Sequence, residues 1–273
     1  MAQRATCLAV FCLCALLPAA ASAQYGVRGT APNPATGESY RVEVSGFLWT
    51  PTPTLLITSE SLGIIGDQID FVNDFAFDTA TFRQLRAALR PARKHKLRFE
   101  YTPISYSNEA LLTRSIVFNG QRYDVSLPVQ ADVRWRAMRF GYEWDFVYRD
   151  RGFVGLLLEA KYTHVEASLE NRLVGREFVS AKAPIPAIGV IGRGYVLPNV
   201  SITGEFSFFR LPSGIDEDYQ GRYYDFDLYG TFNFTDNFGA QGGYRSLTVF
   251  YRVDDDAGDL KMKGLYFGGV VRF

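Results

Sequence analysis

His95 and His164 are the only histidines in the chain, and they come first because proton transfer and nucleophile activation near neutral pH lean on imidazole. His95 falls in the basic run Arg93–Lys96, where an exposed turn residue is the simpler reading. His164 has Glu166 and Ser168 close by in sequence, the ingredients of a nucleophile–base pair, although a strand residue with polar neighbours is again simpler. Acidic residues cluster at Asp216-Glu217-Asp218 and Asp254-Asp255-Asp256. Such oxygens suit hard cations, but neither cluster has the spacing of a calcium loop, so both read as solvated loops and no metal or cofactor is expected. No GxGxxG or P-loop pattern occurs, so Gly194, Gly204, Gly242, Gly243, Gly268 and Gly269 read as bend or close-packing positions.

The larger signal is a set of charges sharing one side of alternating segments: Glu43, Arg86, Arg98, Glu100, Arg139, Glu143, Asp145, Glu159, Lys161, Arg193, Glu205, Asp225, Asp227 and Arg245. The two signs are in near balance. Charges enclosed together must pair or be hydrated, so two arrangements stay open: a lumen filled by cross-strand ion pairs, or a narrow aqueous pore walled by the same residues.

Strands must position these side chains. Tyr40–Trp49, Thr81–Arg90, Lys96–Tyr106, Arg134–Tyr148, Phe153–Val165, Ala187–Leu197, Val200–Arg210, Arg222–Phe234, Phe238–Tyr251 and Gly264–Phe273 set apolar against polar residues with period two. In Phe153–Val165, for example, Leu156, Leu158, Ala160 and Tyr162 oppose Glu159, Lys161 and Thr163. Thr54–Glu60 is a shorter run, and Gln68–Ala76 a weaker one. Pro51 and Pro53 read as a turn, because proline cannot sit in a central ladder. Pro91 and the basic turn after it favour a hairpin over a helix at Thr79–Leu89.

Most runs exceed the about 5–6 residues of a soluble strand and meet the about 9–11 of a tilted membrane-spanning one. Tight turns at Arg149–Gly152, Pro198–Asn199 and Thr235–Asn237 alternate with long links at Ser107–Asp132, Ala167–Ala183, Leu211–Gly221 and Val253–Gly258. Asn119-Gly120 signals a hairpin inside the first long link, expected to project from the barrel. Full charges on the polar face do not suit the inside of a soluble ligand-binding barrel, whereas an inverted barrel, apolar outside, accommodates them.

The two ends agree. Met1–Ala23 has a basic residue, Arg4, an apolar run and a small-residue end at Ala21-Ser22-Ala23, the pattern of a cleaved signal peptide. All three cysteines (Cys7, Cys12, Cys14) lie within it, so no disulfide or thiolate chemistry is expected after cleavage. Without Arg4 the basic residues nearly equal the acidic ones, which argues against nucleic-acid binding. Gln24–Ser39 reads as a flexible lead-in and 40–273 as one β-domain. At the other end, Leu265, Phe267, Val271 and Phe273 share an apolar face in the final strand.

That strand resembles the closing strand of Gram-negative outer-membrane β-barrel proteins, in which the terminal aromatic residue and the alternate apolar residues before it are read as an insertion signal. The resemblance implies an antiparallel transmembrane β-barrel in the bacterial outer membrane, contacting lipid and lipopolysaccharide and assembled by the barrel-insertion machinery. Bacterial barrels have even strand counts; twelve is the expectation, ten the alternative if the weak N-terminal runs merge. Two functions stay open. One is a structural or surface-interaction barrel, or a narrow porin-like passive pore. The other is a lipid-modifying enzyme of deacylase or phospholipase type, for which His164 is the weak catalytic candidate; the adjacent His-then-Ser order of lipid-A deacylases is absent.

Overall fold

Antiparallel pairing between neighbours in sequence runs unbroken around the molecule until the first strand meets the last. The computed structural model describes residues 35–61, 64–211, 219–253 and 256–273; the expected signal peptide and the acidic triplet at 216–218 lie outside them. The strands are β1 (Val42–Thr58), β2 (Phe82–Ala92), β3 (His95–Leu111), β4 (Pro128–Arg149), β5 (Gly152–Asn171), β6 (Gly175–Leu197), β7 (Val200–Arg210), β8 (Tyr219–Asn233), β9 (Phe238–Val253) and β10 (Asp256–Arg272). β10 closes on β1 with Glu43 opposite Arg272 and Val44 opposite Val271. The barrel therefore has ten strands, with the short strand Ile69–Asp70 paired to β1 from outside the ring. The expected count of twelve is corrected to the alternative of ten.

The error has a physical source in proline. β1 runs straight through Pro51 and Pro53 to Thr58. Its ladder with β2 ends at Trp49 opposite Phe82, while its ladder with β10 continues to Thr58. The Val42 N–H points to β10 and the Arg41 carbonyl to β2, so by alternation the donors that Pro51 and Pro53 lack would have faced the side with no strand. The two expected runs are thus one strand. Gln68–Ala76 is not a barrel strand either. Asp70 caps a single helical turn, Phe71–Phe75, by accepting from the Val72 and Asn73 amides.

The wall changes character along its height. Toward the end with the tight turns, the outer face is apolar: Val44, Leu48, Phe140, Trp144, Leu158, Phe206, Phe226, Leu228 and Phe267 are all exposed. Tyr162, Tyr224 and Tyr244 edge this band, where an aromatic ring with a polar tip suits an interface. Above it the sense reverses. Arg134, Arg136, Ser180 and Lys182 face outward, and Leu55, Ile57, Val133, Trp135, Val165, Leu169, Val249, Leu260 and Met262 are buried inside. This reversal also explains the link expected at Ala167–Ala183. No band of outward apolar residues marks it, yet β5 and β6 pair throughout, from Gly152–Gly194 to Asn171–Gly175.

Two excursions fold back into this apolar mouth. The first brings in Phe71, Phe75 and Phe77; the second is the expected Asn119-Gly120 hairpin, with Asn119 at φ 50° and Gly120 at φ 79°. The hairpin does not stand clear of the barrel. Ile116, Phe118 and Tyr123 are fully buried in the same cluster as Phe71 and Phe75, and the Tyr123 hydroxyl donates to the Leu169 carbonyl on β5. The excursions hold each other: the Asp67 amide donates to the Val117 carbonyl, and the Val117 amide to the Asp67 carboxylate.

Candidate functional site

Below the apolar mouth the interior is charged. Strand alternation fixes this, because Lys161 and Asp225 point inward from positions whose neighbours, Tyr162 and Phe226, form the outer band. Arg86, Glu100, Arg139, Glu143, Asp145, Glu159, Lys161, Arg193, Glu205, Asp225, Asp227 and Arg245 are all buried there. Arg98 and Glu43 complete the expected set, with side chains 13% exposed.

The network converges on Glu100, which meets Arg139 at 2.8 Å, Arg86 at 3.0 Å and Arg245 at 2.5 Å. Asp225 takes Arg245 at 2.9 Å and Lys161 at 3.0 Å. Arg86 also reaches Asp227 at 2.7 Å, and Arg98 reaches Glu205 at 2.6 Å. Tyrosine hydroxyls add further donors: Tyr229 to Glu205 at 3.0 Å and Tyr266 to Asp227 at 2.8 Å. Unpaired, any one of these charges would be strongly unfavourable in so closed a space.

Sequence reasoning missed four participants. Lys96 reads in sequence as the end of the basic turn, yet its ammonium is buried between Glu143 and Asp145. Arg272 bonds Glu43 at 2.6 Å and Asn233 at 2.7 Å, and Arg90 is buried beside Glu38. Glu38 itself lies in the stretch expected to be a flexible lead-in. Residues 35–39 are described, and the Glu38 carboxylate sits inside the turn end, 2.8 Å from both Arg193 and the Tyr195 hydroxyl. Burial opposes its charge, but Arg193 and Lys96 hold its carboxyl below the ordinary range. Among the described residues the interior thus collects nine cations (Arg86, Arg90, Lys96, Arg98, Arg139, Lys161, Arg193, Arg245, Arg272) and nine carboxylates (Glu38, Glu43, Glu100, Glu143, Asp145, Glu159, Glu205, Asp225, Asp227). The cavity between Arg86, Arg98, Arg139 and Tyr229 measures about 30 Å³, room for one or two waters.

The histidines stand apart from this network. His95 shares a 2.6 Å hydrogen bond with the Tyr142 hydroxyl on the outer face. His164 pairs at 3.1 Å with Ser180 across the β5–β6 ladder, whereas Ser168, its expected neighbour, is on the same outward side by alternation but is buried, its hydroxyl accepting from Arg176 at 3.4 Å. A working nucleophile–base pair also needs a group that orients the imidazole, and among the described residues the His164 ring hydrogen-bonds Ser180 alone. Of the second acidic triplet, Asp254 and Asp255 lie outside the described residues. Leu265, Phe267 and Phe273 are 69%, 65% and 71% exposed, facing away from the lumen.

No protein-family model matches the sequence, and no curated protein does either. Solved structures do match in shape. The outer-membrane protease OmpT of Escherichia coli aligns with a TM-score of 0.58 at 9% identity, over 85% of this chain and 97% of that one. Ail, the attachment invasion locus protein of Yersinia pestis, aligns at 0.40 and 11% identity, over 85% and 99%. The Pseudomonas putida toluene transporter TodX aligns at 0.37 and 8%, over 89% and 93%. At such identities the likeness to OmpT concerns the fold and leaves the chemistry open. The chain has the fold of an outer-membrane β-barrel protein, with ion pairs in the interior toward the turn end and loop residues packed into the mouth.

Proposed function

We propose that this chain is an integral outer-membrane barrel with a structural or surface-interaction role, and that its lumen does not conduct. The turn end faces the periplasm, the apolar band of β1–β10 sits in the bilayer, and the mouth rises above it with a polar outer face. The observation that carries this reading is the interior itself: nine cations and nine carboxylates joined in three sets of ion pairs, the largest holding six cations and seven carboxylates, capped by Phe71, Phe75, Ile116 and Phe118. A pore with the same wall residues needs a continuous water path, and a 30 Å³ void beside Arg139 is no such path. Three features support the membrane placement: the outward apolar band, its tyrosine edge, and the exposed apolar row Leu265, Phe267 and Phe273, which we read as an insertion signal.

The test is single-channel recording of the refolded full-length mature chain in planar bilayers. Insertion is verified separately by heat-modifiable gel migration. Silence from inserted protein is expected; stable ohmic steps would overturn the closed lumen.

The lipid-modifying alternative rests on the contact between His164 and Ser180. Incubating outer-membrane lipid with the protein and with Ser180→Ala, then measuring released fatty acid, decides it; release that depends on Ser180 would establish the enzyme.

A further inference from the structure

Short strands leave two gaps in the upper wall. β2 stops at Phe82, so β1 and β3 diverge above it, and that gap is occupied by Ile69–Asp70 and the turn Phe71–Phe75, whose aromatic rings are buried. β7 stops at Arg210, and here the arrangement differs. The β6–β7 ladder ends at Ile188 opposite Phe208, while β6 continues upward to Gly175, paired only with β5. Pro184 and Pro186 stand at the point where this ladder stops. The Tyr195 amide of β6 donates toward β5, so by alternation the even-numbered positions face β7. Pro184 and Pro186 therefore withhold the donors that would have carried the ladder on. The slot between β6 and β7 is written into the sequence.

Behind the slot lies a cavity of about 430 Å³ whose walls include Ile57, Val165, Val179, Ile185, Phe209 and Val249. Its volume falls within the range of small-molecule sites, about 300–1,000 Å³. Chemically it has two zones: the inner walls are aliphatic and aromatic, while Lys182, Arg222 and Arg252 border it on the side away from the charged lumen. Arg222 lies over the Phe250 ring, 4.4 Å from its centroid, and Asp256 is an acidic neighbour with an interaction of its own. The slot opens beside Ile188 and Phe208, exposed residues of the outer band.

We infer that this cavity binds the aliphatic chain of an anionic amphiphile, which enters sideways through the slot between β6 and β7. The chain lies against Val165, Ile185 and Val249, and the anionic head remains at Lys182, Arg222 and Arg252. The chain chemistry is common to a membrane lipid and to a free fatty acid. The inference rests on the membrane placement proposed above and is independent of the closed lumen, so a conducting channel would leave it standing.

The test uses the full mature chain refolded in phospholipid vesicles, with one of two photoactivatable probes: palmitic acid carrying a diazirine near its methyl end, or phosphatidylglycerol carrying the same acyl group. Cross-linked peptides are mapped by mass spectrometry. Labelling of 179–185, Phe209 or Val249 by both probes, or by one of them, supports the site; the lipid alone identifies a membrane source, the free acid alone a soluble one. Ala181→Trp, which fills the cavity, is expected to cut this labelling by about tenfold, with heat-modifiable migration confirming that the variant folds. Lys182→Glu with Arg252→Glu lowers it by reversing charge at the cavity border while the Arg222–Phe250 contact stays in place. Labelling confined to the outer band at Phe206, Phe226 and Leu228, or site labelling undiminished in Ala181→Trp, would overturn the inference.

Discussion

Replacing Glu100 with glutamine tests whether the largest set of ion pairs acts as a unit. Glu100 is 5% exposed, accepts from the guanidinium groups of Arg139 and Arg245, and forms an ion pair with Arg86 at 3.0 Å. The amide keeps the shape, removes the charge and turns N–H donors toward other donors. Breaking a buried pair by removing one partner costs about 3–5 kcal/mol, and the two charge-assisted bonds from Arg139 and Arg245, at about 1.5–3 kcal/mol each, are not lost independently. We therefore expect about 4 kcal/mol of destabilisation, close to a thousandfold in the unfolding equilibrium. The assay is reversible urea unfolding in phospholipid vesicles, followed by fluorescence of Trp49, Trp135 and Trp144. The double variant Glu100→Gln with Arg245→Met restores equal numbers of both signs and should recover part of the loss, since a buried charge left without its partner dominates the cost. Arg122→Ala is the control: its pair with Asp124 is 68% and 65% exposed and should matter by less than about 0.5 kcal/mol. If Glu100→Gln lies within about 1 kcal/mol of the parent, the interior is hydrated enough to screen its charges, and the closed-lumen argument fails.

Other perturbations read different parts of the fold. The Glu38 carboxyl is held below its ordinary range, so its contribution is complete above the unfolded value of about 4.5 and is lost as pH falls through the lower folded value. Proteolysis near residues 35–40 of the folded barrel should therefore rise only in strongly acidic solution, and Glu38→Gln should bring the same exposure at neutral pH. Gly268 has no room for a methyl group: a Cβ there would meet the Gly46 carbonyl oxygen and the Phe47 ring, so Gly268→Ala should destabilise by about 1–3 kcal/mol in the same urea assay. Gly204→Ala, with Leu228 at 3.9 Å as the nearest atom, should be nearly neutral. Pro184→Thr with Pro186→Thr returns two donors to the edge of β6; slow amide exchange at Arg210, the β7 residue in line with position 186, and at the substituted position 186 itself would show the slot closing.

Alternation was legible wherever the wall separates lipid-facing from charged residues, because neighbours such as Lys161 and Tyr162 differ so sharply. It faded where the sense reverses: at 167–183 the outward face is polar and the inward face small, a pattern that also fits a loop. Proline misled for a definite reason. The rule that it breaks a ladder assumes a neighbour on both sides, and Pro51 and Pro53 have one. The helical turn left a faint signal, Asp70 before Phe71 and Phe75 at a spacing of four. Glu38 left none, since a single acid in an aperiodic Gly/Pro-rich stretch says nothing about a partner at Arg193. The contact between Ser180 and His164 likewise depends on cross-strand register, which spacing along one strand does not contain.

The seam between β1 and β10 has a consequence for the order of assembly. Its ladder joins Glu43 to Arg272, 229 positions apart, and the Phe273 carbonyl accepts from both Arg41 and Val42. Every other barrel strand can pair with a neighbour made just before it, but β1 must wait for the end of the chain. Until then the growing sheet has two raw edges, and Arg272 and Glu43 have no counter-ion. Contacts of such span are slow to find, so the closing step should set the folding rate. An escort that shields those edges would act at this seam.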